Sequence, residues 1–345
     1  LAETGGHDVT GGRIEADAVT RPVNEALTQA EDSTEVFVGQ KIVPDDVILI
    51  LAGQATIGKL FTVKQTRAKP AEPISAKELN SLRARAERLV REGLTFSSFE
   101  GGQWLPIAVT DAGRHLDGRL VLDGVGLTGS EISFSVFGVA GQASALRALE
   151  VLANRLDLVI ANIVASPHAL ASISPHKEAI ILDIGHSGTN VCLIRNDSLV
   201  ATDWTPFGGR FFTQALVREK KLESAAARAL KHAYANGDLP REEAIEVETY
   251  LDGPCYRWYD AVMELLSELS YGQTLPRRIW MTGGASLLPG LEKLLRTNHE
   301  PFDSAPEISQ LGRGLPLAVK DLTDSLDYNL FALTLSSTIG LPELP

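Results

Sequence analysis

Ala179-Ile-Ile-Leu-Asp-Ile-Gly-His-Ser-Gly-Thr-Asn-Val-Cys-Leu-Ile194 is the stretch on which the fold turns. Its apolar opening reads as a buried strand that delivers Asp183 to its end. Gly185 and Gly188 then mark a tight turn, and the chain returns as a second strand. Consecutive main-chain amides in such a turn can cradle phosphate oxygens, with Ser187 or Thr189 adding a hydroxyl and Asp183 placed to hold Mg2+ through its water shell. The same residues also suit an ordinary hairpin whose glycines only supply positive φ.

Downstream, Ile279-Trp-Met-Thr-Gly-Gly-Ala-Ser-Leu-Leu-Pro-Gly-Leu291 repeats the logic. A strand ends in Gly283-Gly284, where a flat ligand can approach the main chain, and the following helix offers its first amides to an anion. The alternative is a routine strand-to-helix turn. Between the two lies Pro206-Phe-Gly-Gly-Arg210, a turn that opens a helix and brings in Gly208 and Gly209.

Working outward, the second half alternates. Strands are expected at Leu158–Val164, Glu178–Asp183, Asn190–Arg195 and Ser198–Asp203, with a helix near Pro167–Ser172 and a hairpin turn at Asn196-Asp197. A helical stretch follows from Phe211 to about Leu269, broken near Asn236–Pro240. A strand then spans Arg278–Thr282, a helix Leu287–Leu295, and a last helix Tyr328–Ser337.

The first half reads differently. A helix spans about Asp17 to Ala30, and Val47–Ala52 is a continuous apolar run expected to be a central strand, with Leu60–Thr66 as its partner. Pro70 and Pro73 break the pattern. Ser75-Ala-Lys-Glu78 has the form of a capping box and starts a helix. On that helix Arg83, Arg85, Arg88 and Arg91 read as a solvated face, with an interaction surface as the alternative. Short strands at Trp104–Thr110, Arg119–Leu122 and Ile132–Val139 and a helix from Ala143 to Leu156 complete a small α+β module.

Composition bounds the function. The chain has 345 residues, 32 Lys plus Arg against 44 Asp plus Glu, 44% hydrophobic residues and a formal charge of −12. This is the composition of a globular protein of about two domains. The negative charge argues against nucleic acid and against a bare anionic membrane. No apolar run approaches the roughly 20 residues of a membrane-spanning helix, and Leu1 to Gly12 lacks the form of a signal peptide. Cys192 and Cys255 are too few for a disulfide framework, so a reducing cytoplasm is the expected setting. His168, His176 and His186 have no metal-ligand spacing.

Taken together and in order, the three glycine turns make the chain resemble the FtsA and PilM branch of the actin-like ATPase superfamily, alongside Hsp70 and sugar kinases. Asp183–Thr189 looks like the second phosphate loop of that family, Phe207-Gly-Gly209 like the glycine pair that follows, and Met281–Leu291 like the adenosine loop. Gly12-Arg-Ile with the helix after it, Pro73–Leu79, Asp123-Gly124, the Ile132–Val139 strand and Ile163–Ala171 extend the likeness nearly end to end. Three departures stand out. No Asp-x-Gly phosphate loop matches at Leu1–Ile14, so about 20 residues of strand hairpin are expected to precede the sequence. Asn190 stands where many relatives carry a second Asp. Arg228 replaces a Glu often used on the ribose, while Lys231 is retained, on what reads as an exposed helix.

The resemblance implies an α/β, two-lobed actin-like ATPase fold with a small inserted α+β module and its first strands missing. Residues 1–73 would form the first lobe, 74–157 the inserted interaction module and 158–178 the first lobe continued. Residues 179–320 would form the second lobe, with a helical subdomain at about 211–275, and 321–345 would return as a helix to the first. ATP or ADP with Mg2+ is the implied cofactor. It would be held by Asp183 (the metal through water), Gly185, Ser187, Gly188, Thr189, Gly208, Gly209, Lys231, Gly283 and Gly284, and would lie between two turns facing one another across it. The implied role is an FtsA-like cell-division adapter or filament, cytoplasmic and peripheral at the inner face of the membrane, reached only through a partner or a segment outside this sequence. Expected partners are further copies of itself and the tail of tubulin-like FtsZ. A PilM-like scaffold of type IV pilus assembly, binding a PilN-like peptide, is the alternative, because the sequence stops at Pro345 without the membrane helix usual in FtsA. A degenerate, non-hydrolysing member and a sugar-kinase-type enzyme are further readings, the last without a substrate-pocket signature. Turnover stays open between weak ATPase activity and none.

Overall fold

The computed structural model describes residues 16–95, 102–298, 301–314 and 326–338. The early resemblance at Gly12-Arg-Ile and the segment Leu1–Ile14 lie outside them. Two units are seen, the first running to His168 and the second starting at Ala169, with the segment from Asp327 belonging to the second.

The first unit opens with helix α1 (Ala16–Val38) and strand β1 (Asp46–Leu51). Strand β2 (Thr56–Thr66), helix α2 (Ala76–Thr95), strands β3 (Trp104–Leu116), β4 (Arg119–Val121) and β5 (Glu131–Gln142), helix α3 (Ala143–Arg155) and strand β6 (Val159–Ala165) follow. Among the described residues β1 pairs with β6, in parallel, as a two-stranded sheet. The expectation that Leu60–Thr66 is the partner strand of Val47–Ala52 is overturned. β2 instead pairs antiparallel with β5, in register from Thr56↔Gly141 to Thr66↔Glu131. Apolar content alone cannot say which distant strand a run will meet.

β2, β5, β3 and β4 form a four-stranded sheet in that order. The inner strand β5 is buried almost throughout, and α2 covers one of its faces. Leu82, Ala86, Val90 and Leu94 of α2 meet Ile132, Phe134, Val136 and Ala140 of β5 in one core. Gly138 lets the helix approach, since a Cβ there would strike Val90. At the start of α2 only half of the capping box forms. The Glu78 amide donates to Ser75 Oγ at 3.2 Å, but the Glu78 carboxylate turns to Arg67 at 2.8 Å. Arg67 is buried and also donates to the carbonyls of Glu72 and Gly129, so the charge pair outcompetes the cap. α3 lies on the other sheet, where Ala145 and Leu146 cover Leu51 and Ile163.

Helix α4 (Ser166–Ser172) crosses the division between the units. The second unit then builds strands β7 (Ala179–Ile184), β8 (Thr189–Arg195) and β9 (Ser198–Thr205), helices α5 (Gly209–Lys220), α6 (Ser224–Asn236) and α7 (Arg241–Leu269), strand β10 (Arg278–Thr282), helix α8 (Pro289–Thr297), strand β11 (Glu307–Gln310) and helix α9 (Ala332–Ser336). The sheet order is β11-β10-β7-β8-β9, with the first three strands parallel and β8 and β9 returning antiparallel. Asn196 and Asp197 both take positive φ, 51° and 63°, as a two-residue hairpin turn requires. On α7 Val247, Leu251, Cys255, Trp258, Val262, Leu266 and Leu269 keep helical spacing and enter a core shared with β7, β8 and β10. α9 is short and lies in the second unit, while residues 321–325 and 339–345 of the expected return lie outside the described chain.

Candidate functional site

β7 and β10 are parallel neighbours, with Asp183 opposite Thr282. The two glycine turns that follow them therefore leave one sheet side by side at the same end. They do not face one another, which corrects the sequence expectation. Open α/β sheets bind ligands at the carboxyl ends of their strands, and this end carries Asp183, Gly185–Gly188, Gly283 and Gly284.

The first turn is braced by the glycine pair. Gly185 N donates to Gly188 O at 3.0 Å, while Gly209 N and Arg210 N donate to Gly185 O and His186 O at 2.8 Å each. A Cβ at Gly208 would lie 2.7 Å from Gly185 O, so only glycine permits this contact. Gly188 is equally confined, by Trp204 and the carbonyl of Thr205. Ser187 is exposed at the tip, and its amide and that of Gly188 carry no backbone partner among the described residues. Gly209, by contrast, spends its amide inside the protein.

Thr189 is not available to a ligand. It is fully buried, donates its hydroxyl to Phe207 O at 2.7 Å and accepts Trp258 Nε1 at 2.9 Å. The sequence placed it among the phosphate ligands, and the structure makes it a brace. Lys231 is corrected too. It is buried on α6, not solvated, and donates Nζ to Gly209 O at 2.9 Å. Burial first, and then the nearby Arg228 charge, pull its pKa down to about 8.

Asp183 is buried, and Asn190 Nδ2 donates to its Oδ2 at 3.2 Å. Burial pushes its pKa up to about 6, against the smaller lowering by that hydrogen bond. A second Asp at position 190 would set two carboxylates against each other, whereas the amide stabilises the charged form. At the second turn Gly283 takes φ +86°, and a Cβ there would lie 2.8 Å from Asp183 Oδ1. The turn rests on a network that the sequence did not reveal. Gly283 N and Thr282 Oγ1 both donate to Asn329 O, at 3.3 and 2.7 Å, Asn329 Nδ2 donates to Ser286 Oγ, and Ser286 bonds Gly283 O and Gln310. Asn329 arrives from some 45 residues away, and no local pattern announces such a contact.

No family model matches the chain. In sequence it is similar to the cell division protein FtsA of Agrobacterium fabrum, 24% identical over 212 residues, covering 53% of this chain and 48% of that protein. It is also similar to FtsA of Streptococcus pneumoniae, 23% identical over 304 residues, covering 81% and 63%. The chain thus spans about half the length of the first of these relatives. Among solved structures the PilM–PilN type IV pilus biogenesis complex matches over 96% of this chain and 87% of that one, with a TM-score of 0.63 at 18% identity. The fold is the actin-like fold of PilM. In this actin-like fold the turns on β7 and β10 occupy the sheet end described above. No helix of the described residues is long and apolar enough to cross a membrane.

The residues fit a phosphate-bearing ligand with Mg2+. Mg2+ keeps most of its waters and takes one or two carboxylates plus substrate phosphates, so Asp183 alone satisfies the protein's share. Its Oδ1 carries no hydrogen bond among the described residues, and a buried carboxylate with a raised pKa is stabilised by a nearby cation.

Proposed function

We propose that this chain is an actin-like nucleotide-binding protein that acts as a cell-division adapter or filament in the manner of FtsA, with nucleotide state biasing its assembly. The observation that supports this best is the convergence of the Gly185–Gly188 and Gly283–Gly284 turns on Asp183 at one sheet end. ATP or ADP would set its phosphates against the amides of Ser187 and Gly188, with Gly283 and Gly284 giving a flat base access to the main chain. When bound, Mg2+ would neutralise phosphate charge, held by Asp183 through water. Asn190 orients the Asp183 carboxylate, and Lys231 fixes the Gly208–Gly209 brace through Gly209 O. Asn190 has no proton-accepting carboxylate to orient a water, so hydrolysis is expected to be slow or absent, and the protein a binder first. Its place would be the inner face of the cell membrane, reached through a partner such as the FtsZ tail.

A PilM-like scaffold of type IV pilus assembly, binding a PilN-like peptide, is the second reading, supported by the near-complete structural match to a PilM–PilN complex. Titration calorimetry with MgATP and MgADP tests what both readings share. Wild type should bind and Asp183→Ala should lose Mg2+-dependent affinity, while equal affinity of the two would sink the site. Parallel titrations with the two kinds of partner peptide would separate division from pilus.

A further inference from the structure

Away from the glycine turns, β2 ends the four-stranded sheet and, among the described residues, pairs on one side only, with β5. In an antiparallel edge strand every second residue points its N–H and C=O away from its neighbour. Among the described residues nothing pairs with that outer edge between Ile57 and Gln65. A groove of about 360 Å³ runs where α2 flanks the edge, lined by Thr62, Val63, Lys64, Arg85, Arg88 and Leu89.

The lining has a definite chemistry. Arg85, Arg88 and Leu89 share one stripe of α2, by the three- and four-residue spacing of a helix. Arg83, on the same helix, is matched by Glu87 and Asp111. Arg85 instead donates to the neutral Gln65 at 3.0 Å, and Lys64 and Arg88 carry no carboxylate partner among the described residues. On a chain of net charge −12 these are conspicuous uncompensated cations. Leu89 is 41% exposed beside them, an apolar foothold.

We propose that the β2 edge and the Arg85–Leu89 stripe form a docking groove for an extended acidic segment of another protein, which adds to the sheet as a further strand. The free strand edge supplies main-chain hydrogen bonds, the cations select carboxylates, and Leu89 takes an apolar side chain at an alternate position. A nucleic acid would gain nothing from the strand edge, whose main-chain donors and acceptors match those of another strand. The rival explanation is that the lysines of β2 simply guard an edge against aggregation. That explanation gives no binding.

The test uses the whole chain and a fluorescein-labelled peptide of alternating Glu and Val, about ten residues long, followed by fluorescence anisotropy at low salt and by hydrogen exchange. Saturable binding is expected, with slowed exchange in Thr56–Thr66 and no binding of the Lys-for-Glu counterpart. Arg85→Glu with Arg88→Glu should weaken binding about tenfold or more, while Arg83→Ala, outside the groove, should leave it unchanged. Absence of saturable binding, protection confined to other strands, or equal binding of both peptides would overturn the proposal. So would unchanged affinity in a double variant whose circular dichroism matches wild type.

Discussion

Asp183 sits at a strand end with one amide, from Asn190, on its carboxylate, and burial holds its pKa up at about 6. The unfolded chain gives up that proton near the ordinary value of 3.8. Between about pH 4 and pH 6 the folded state therefore binds more protons, and stability falls as pH rises; below pH 4 both states hold the proton and the cost vanishes. The full cost above pH 6 is about 3 kcal/mol. Asp183→Asn should thus raise the melting temperature of the ligand-free protein at pH 7 and lose that advantage below pH 4. Thermal unfolding across this range checks it, and a pH-independent gain would show that the charge is not the cause. His168 works in the opposite sense. Burial pulls its pKa down to about 4, so it withdraws stability as pH falls from about 6.5 toward 4. The glycines of this site were legible in the sequence because few residues besides glycine tolerate such φ values or contacts. Lys231 was not, since a lysine on a helix is usually solvated, although its place four residues after Ala227 sets both on one buried face of α6.

At the scale of elements, the β7–β8 hairpin is bolted to α7 by a relay that runs from Trp258 Nε1 to Thr189 Oγ1 to Phe207 O. Thr189→Val keeps the shape but strands a buried indole N–H and a carbonyl, each costing about 1–3 kcal/mol when unpaired. A urea midpoint lowered accordingly, with an altered near-ultraviolet signal from Trp258, is the expected outcome, and an unchanged midpoint would mean that water replaces the hydroxyl. The hairpins and the helical stretch from Phe211 to about Leu269 with its break near Asn236–Pro240 were readable because each follows from local signals, whereas the break between α5 and α6 was not. β2 was misassigned for the opposite reason. Its partner β5 lies some 75 residues downstream, and alternation along a strand is silent about which distant strand completes it. The half-made capping box teaches the same lesson, since Glu78 chose a buried Arg67 that no local motif includes.

Across the whole molecule, the pairing of β2 with β5 fixes where the small sheet can be cut away. Thr56 opposes Gly141, so the chain enters and leaves this sheet at neighbouring points, and removing residues 56–142 can be closed by a short glycine link. The sequence-based boundary at Ile74–Asp157 would instead leave β2 behind with Phe61 and Val63 stripped of α2 and β5. It would also remove α3, whose Ala145 and Leu146 cover Leu51. The core of the second unit shares no buried residue with either of these clusters. Deletion of 56–142 should therefore leave a cooperative thermal transition that reports the second unit, at the cost of contacts that Ile107 makes with Leu51 and Thr110 makes with His168. Deletion of 74–157 should give aggregation, because an unpaired apolar strand is a template for pairing with other chains. Calorimetry and light scattering on the two variants separate these outcomes. If the 56–142 deletion loses its transition as completely as the longer one, the small sheet is not a dispensable attachment but part of a core common to the whole chain.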